Sequence, residues 1–229
     1  MRRLINVYQK FLLAMLIILG SGAVAALPEG FVYVDEVVPG IRQDIRYAGA
    51  NNFVGRPVIG YITPRAVLSK QAGLALAGVQ ADLKPFGLTL LVFDAYRPQQ
   101  AVDDFVTWSN DYGETRTKAQ YYPRVPKESL FPEGYIAERS GHSRGSTVDL
   151  SIASSVAPYE PLDMGSAFDF FGPESWPEYT GITSQQRANR LLLQSLMVKH
   201  GYKIYAKEWW HFTYGDEPYP ETYFNFIVD

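Results

Sequence analysis

Two histidines and two carboxylates in this chain stand where no apolar face claims them. His142 lies in the loop "SGHSRG", among Ser, Gly and Arg, and Asp149 follows in "STVDLSI". That run alternates, so Val148, Leu150 and Ile152 share one face while Thr147, Asp149 and Ser151 share the other. His211 sits in "KEWWHF", with Glu208 shortly before it. Two imidazoles and a carboxylate are the ligand inventory of a catalytic zinc, which keeps a fourth position for water. Such a metal brings the pKa of its water to about 7, and a nearby glutamate can take the proton as that water attacks a carbonyl. Singly, each signal is weak. A His-x6-Asp spacing recurs by chance, and a histidine in an aromatic strand is also a core residue bonded to backbone.

The four residues must be positioned by their elements, and one spacing resists. Residues three apart on a regular strand face opposite sides, so Glu208 and His211 cannot both reach one site from an undistorted strand. Glu208 is therefore expected at a bend before the strand and His211 within it. The third histidine, His200, falls in the last turn of a predicted helix before Gly201, where it bonds free carbonyls and complements the helix dipole, a structural role.

The supporting elements are mixed. From Ala66 to Leu83, Leu68, Ala72, Ala75, Leu76, Val79 and Leu83 recur with helical spacing, and Pro85 and Gly87 close the segment. "LTLLVFD", Leu88 to Asp94, is short, apolar and β-rich, a buried strand; Pro98 then suits the first turn of a helix running to about Tyr112. "TSQQRANRLLLQSLMVKHG" has Thr183 or Ser184 as cap and Gly201 as stop, a second clear helix. "YKIYA" and "WWHFTY" read as strands of one antiparallel sheet. The expected fold is a single α+β domain, a small antiparallel sheet with helices packed around it.

Composition narrows the function classes. The 229 residues, 47% hydrophobic and 14% aromatic, can bury one good core. There is no cysteine, which excludes disulfides, thiol catalysis and attachment of lipid through cysteine. Arg2, Arg3 and Lys10 precede the apolar run "FLLAMLIILG", and Ala23-Val24-Ala25 matches the small-x-small cleavage rule. Residues 1–25 are expected to be a secretory signal peptide and 26–229 the working domain, placed in the periplasm with no stable membrane insertion after cleavage. The alternative is an uncleaved anchor, because Phe11 to Pro28 is uncharged. Cleavage removes three basic residues and takes the net charge from −3 to −6, which argues against nucleic acid and anionic membrane surfaces as partners.

"SGHSRGSTVD", "EWWHF" and "DAYRP", together with "NNFVGRPVIGY", "DMGSAFDFF" and "DEPYP…YFNF", resemble the D-alanyl-D-alanine dipeptidases of the VanX type, relatives of the zinc D,D-carboxypeptidases. The likeness runs from about Phe31 to the C-terminus and implies a D,D-peptidase or hedgehog-like fold. It implies that His142, Asp149 and His211 hold one zinc ion per chain, that Glu208 is the general base, and that Arg97 stabilises the oxyanion on the scissile carbonyl. Without the family, an ordinary ion pair also accounts for Arg97; Asp94 of the same motif is placed to orient it. Tyr47, Ser140 and Asp169 are implied to line the pocket, with Asp169 the partner of a dipeptide's free ammonium. One departure stands out: the family usually has alanine where this chain has Thr147, on the same strand face as Asp149, where its hydroxyl can support the ligand carboxylate or crowd it.

The resemblance implies cleavage of the dipeptide D-Ala-D-Ala, in wall-peptide turnover or D-alanine salvage. Two alternatives stay open at this level: a D,D-carboxypeptidase acting on peptidoglycan stems, and a non-catalytic peptidoglycan-binding module.

Overall fold

The computed structural model describes residues 26–229, so the signal peptide expected over 1–25 lies outside the described residues. In chain order the elements are β1 (Phe31–Tyr33), α1 (Val34–Val37), β2 (Arg42–Gln43), β3 (Val67–Ser69), α2 (Lys70–Leu83), β4 (Leu88–Asp94), α3 (Gln99–Asn110), α4 (Lys118–Tyr121), β5 (Thr147–Ser154), α5 (Ser184–Lys199), β6 (Tyr202–Tyr205) and β7 (Glu208–Tyr214). A five-stranded sheet in the order β2-β4-β5-β7-β6 forms the centre, and β1 pairs with β3 in a separate ribbon. All pairings are antiparallel except that of β2 with β4, so the expected small antiparallel sheet gains one parallel edge strand.

β5 is buried on both faces from Thr147 to Ala153. Its apolar set, Val148, Leu150 and Ile152, shares one core with Leu76, Val79 and Leu83 of α2 and with Leu193 and Met197 of α5. The polar set looks the other way, into the region that α3 and the long loops cover. Alternation thus delivers Asp149 away from the apolar layer, as its spacing predicts.

The helix expected over Ala66–Leu83 begins only at Lys70. Val67–Ser69 pairs with Phe31–Tyr33 instead, and Ser69 Oγ caps α2 by accepting from the Ala72 N–H at 3.4 Å. A local 3.6-residue pattern could not register the β1 partner, which satisfies the same backbone groups in a ladder. α5 starts as expected, at a capping box in which Thr183 and Gln186 exchange side-chain bonds, and it ends at Gly201, whose φ of +87° suits glycine. His200 does serve a structural role, through a partner the sequence did not show: its Nε2 lies 2.7 Å from Asp82 Oδ2 on α2, tying the two helices.

Two irregularities in the sheet matter for the site. The β4–β5 register slips by one between Val92 and Asp94. A second break lies between Ile204 and Tyr205, where β6 meets β7. Such bulges re-aim side chains that regular alternation would send to the other face.

Because β5 carries the site on one face and the core on the other, Leu150→Ala should cost about 3 kcal/mol of unfolding free energy, read from urea denaturation, through the cavity it leaves.

Candidate active site

The loop before β5 is a short turn, Gly141–Arg144, capped by Ser140, whose Oγ accepts from the His142 N–H at 3.3 Å. Gly145, at φ +81°, ends the turn and hands the chain to β5. His142 Nδ1 lies 2.7 Å from the Ala95 carbonyl oxygen. A carbonyl only accepts, so Nδ1 carries the proton and Nε2 presents a bare lone pair. Across the β5–β7 pair Asp149 is directly opposite His211. His142 Nε2 is 3.2 Å from Asp149 Oδ2, His211 Nδ1 is 3.1 Å from Asp149 Oδ1, and the two ring nitrogens are 3.4 Å apart.

These three residues meet with one ligand atom each inside a 4.8 Å span. Burial opposes charge on His211, but its pairing with Asp149 and Glu208 outweighs that and raises its pKa to about 9. A ring nitrogen from each histidine and an Asp149 oxygen thus converge on one point, where a metal cation could take the place of the proton on His211. Two imidazoles with one carboxylate suit zinc, and the donor set fits it in number and kind.

Glu208 is not at a bend before the strand, as parity suggested; it is the first residue of β7. The register break solves the conflict differently, because Tyr205 pairs with Glu208 while Ile204 pairs with Phe212, leaving extra residues on β7 between them. That bulge turns Glu208 to the side of His211, with Oε2 3.3 Å from Nδ1.

The slip in β4 does the same for Asp94. Counting from the core-facing Val92, Asp94 would point into the apolar layer; the bulge sets it opposite Asp149 instead. There Asp94 accepts from Arg97 Nε at 2.9 Å and from the Tyr61 hydroxyl at 2.6 Å. Arg97 Nη2 also lies 3.7 Å from Asp149 Oδ2, and Nη1 reaches Ser140 Oγ at 3.5 Å. Burial works against the Arg97 charge, but Asp94 above all, then Tyr47, Tyr61 and Asp149, hold its pKa well above the usual arginine value.

Tyr47, Arg97, Ser140, His142, Asp149, Asp169, Glu208 and His211 all line one cavity of about 240 Å³. That is less than the 300 Å³ or so at which drug-sized pockets begin, which limits the ligand to a small molecule. The Tyr47 hydroxyl donates to both Asp169 oxygens, at 3.1 and 3.0 Å. Asp169 adopts φ +61°, a left-handed conformation that aspartate tolerates better than most residues. Burial first, then the charges of Asp149 and Glu208, push its carboxyl well above the ordinary range, against the pull of Arg97 and Tyr47.

Every residue singled out in the sequence for this site therefore reaches the one cavity. Missed were Tyr61, the Ala95 carbonyl and Tyr205, whose ring lies 5.1 Å from that of His211. Tyr61 stands in "VIGY", far from "DAYRP" in the chain, and a backbone carbonyl leaves no trace in side-chain types. Thr147 neither supports nor crowds Asp149: its Oγ1 is 2.9 Å from Thr213 Oγ1 on the neighbouring strand. Asp149→Ala should abolish stoichiometric zinc binding, whereas Thr147→Ala should leave it intact, as read by metal analysis of the purified proteins.

Comparison with known proteins identifies the family. Residues 28–229 match the family model Peptidase M15, described as D-ala-D-ala dipeptidase. A D-alanyl-D-alanine dipeptidase of Streptomyces coelicolor is 44% identical over 198 residues, covering 86% of this chain and 98% of that protein. Those of Enterococcus faecalis and Enterococcus faecium are 41% and 39% identical, over 88% and 87% of this chain and 100% and 98% of theirs. A crystal structure of the vancomycin resistance D,D-pentapeptidase VanY, a point mutant in complex with Zn(II), shows only a loose likeness, with TM-score 0.39 and 16% identity over 66% of this chain and 74% of that one. A His-Asp-His group in a small buried cavity, on a chain aligned nearly end to end with such relatives, places this protein in the Peptidase M15 D-Ala-D-Ala dipeptidase family, as a zinc metallopeptidase.

Proposed function

We propose that this protein is an exported zinc dipeptidase that hydrolyses free D-alanyl-D-alanine to two molecules of D-alanine, in wall-peptide turnover or D-alanine salvage. The names of the relatives support the substrate. The observation that carries the reading is Asp169, a buried carboxylate lining the cavity whose one side-chain hydrogen-bond donor among the described residues is the Tyr47 hydroxyl. The buried Asp94, Asp149 and Asp169 and the half-buried Glu208 outnumber the half-buried guanidinium of Arg97 in this region. Buried charge without compensation is costly, so such a site favours cations. A zinc ion would answer Asp149, and the ammonium of a free dipeptide would answer Asp169.

His142, Asp149 and His211 would hold the zinc ion, which supplies Lewis acidity and makes water nucleophilic at neutral pH. Glu208 Oε2, already beside His211, takes the proton of the attacking water and returns it to the nitrogen of the leaving D-alanine. Arg97 lies with its guanidinium between Asp94 and Ser140, where it can pair with the negative oxygen that develops on the scissile carbonyl. Asp94, fixed in turn by Tyr61, sets the angle of that guanidinium before substrate arrives. Tyr47 stays protonated, since burial and then Asp169 push its pKa up, so it remains a donor to the carboxylate. A substrate with a blocked amine would leave Asp169 without its cation.

Export is supported by the order of Arg2, Arg3 and Lys10, the apolar run and Ala23-Val24-Ala25, and by a family match that begins only at residue 28. Among the described residues no helix is long and apolar enough to cross a membrane.

Zinc-loaded protein should release D-alanine from D-Ala-D-Ala and not from an N-acetylated peptide ending in D-Ala-D-Ala, with chelator abolishing release. Release from the blocked peptide would shift the assignment to a carboxypeptidase, and release from neither would point to a binding module. Glu208→Gln should lower kcat by on the order of 10²- to 10⁴-fold while zinc content holds. Asp169→Asn, which keeps the left-handed backbone accessible, should raise KM for the free dipeptide by about tenfold or more through loss of the charged partner. Cell fractionation with N-terminal sequencing should find a periplasmic chain beginning at Ala26; a cytoplasmic chain that keeps residues 1–25 would end the export proposal.

A further inference from the structure

The site face of the sheet carries a second cleft, of about 470 Å³, backed against the catalytic cavity. Its lining residues are chain neighbours of the active-site residues: Arg46 precedes Tyr47, Phe93 precedes Asp94, Phe168 precedes Asp169, and Trp209 follows Glu208. Ser151 lies two residues beyond Asp149, on the same strand face. None of these five takes part in the chemistry described above.

One polar group in this cleft lacks a hydrogen-bond partner among the described residues, and a second is only partly engaged. Ser151 is 1% exposed, and its Oγ makes no hydrogen bond among the described residues. Arg46 uses Nε on Asp44 Oδ2 at 2.6 Å, while its two terminal nitrogens make no hydrogen bond among the described residues. Its guanidinium carbon lies 4.9 Å from the centre of the Phe93 ring and 5.9 Å from that of Phe168, which holds the side chain against the cleft. Trp209 is fixed by its Nε1–H, which donates to Ser166 Oγ at 2.9 Å. A guanidinium edge and a hydroxyl between buried aromatic rings form a complement to one planar anion with an apolar body. Asp163, which also lines the cleft, has its oxygens accepting from the Gly165 N–H and from Gln186, so both are engaged by protein donors, and its charge leaves room for no more than one negative group, held at the Arg46 end.

We propose that this cleft is a second, non-catalytic binding site for a small monocarboxylate with an apolar body, read by Arg46 and Ser151 between Phe93, Phe168 and Trp209. The proposal is independent of which dipeptide the active site cleaves. Its test is a titration of the zinc-loaded protein with benzoate, followed by ligand-observed NMR, alongside dipeptide kinetics. Saturable binding of one benzoate per chain is expected, weakened by about tenfold or more in Arg46→Gln and in Ser151→Ala, with kcat/KM of both variants within about twofold of the parent. Arg46→Lys, which keeps the charge and loses the planar fork, should also weaken binding, and it carries the test if Arg46→Gln fails to fold. Absence of saturable binding overturns the proposal, as does binding that the variants leave unchanged or that competes with the dipeptide at the zinc site.

Discussion

Asp94 has no exposed surface, and the site depends on how its charge is answered. Burial pushes its carboxyl up, and Arg97 first, then His142, draw it back. Arg97 is fixed by that pairing, and its position beside Asp149 ties the guanidinium to the carboxylate of the His-Asp-His group. The residue after Asp94 completes the arrangement, since the Ala95 carbonyl sets the tautomer of His142. Three consecutive positions from Phe93 to Ala95 thus act on the aromatic wall, on Arg97 and on His142. A low-dielectric cavity magnifies each of these interactions and equally magnifies any error in their placement.

The backbone supplies that placement through irregularity. A perfect β4 would send Asp94 into the layer of Val92 and Leu90, and a perfect β7 would set Glu208 and His211 on opposite faces. One register break in each pair turns Asp94 toward Asp149 and Glu208 toward His211. Asp169 completes the cavity with a third departure from regular geometry, its left-handed φ. The regular parts of the sheet and the helices α2 and α5 hold a conventional apolar core, against which these local distortions are fixed. Such distortions concentrate where side chains must converge, because alternation alone distributes them to two faces.

Much of this was legible in the chain. β4 stands where its apolar run ends at Asp94, α5 begins at the cap that Thr183 offers, and the alternation of "STVDLSI" sets Asp149 off the core face. Parity even exposed the Glu208–His211 conflict, although a bulge and not a bend resolves it. Less legible were the strand Val67–Ser69, hidden inside a helical pattern, and the parallel strand Arg42–Gln43, too short to carry a period.

The sequence by itself determined the inventory: two histidines, the carboxylates and an arginine on polar positions, in motifs specific enough to indicate a family and its metal. Residue type and short-range period are local properties, and local properties survive in a linear string. Only the tertiary structure decided which lone pairs meet, that Tyr61 steadies Asp94 from a distant loop, that Thr147 bonds to Thr213 and not to Asp149, and that there is a second cleft. Those outcomes depend on strand register and on contacts between segments far apart in the chain, where a shift of one residue reverses the face a side chain occupies.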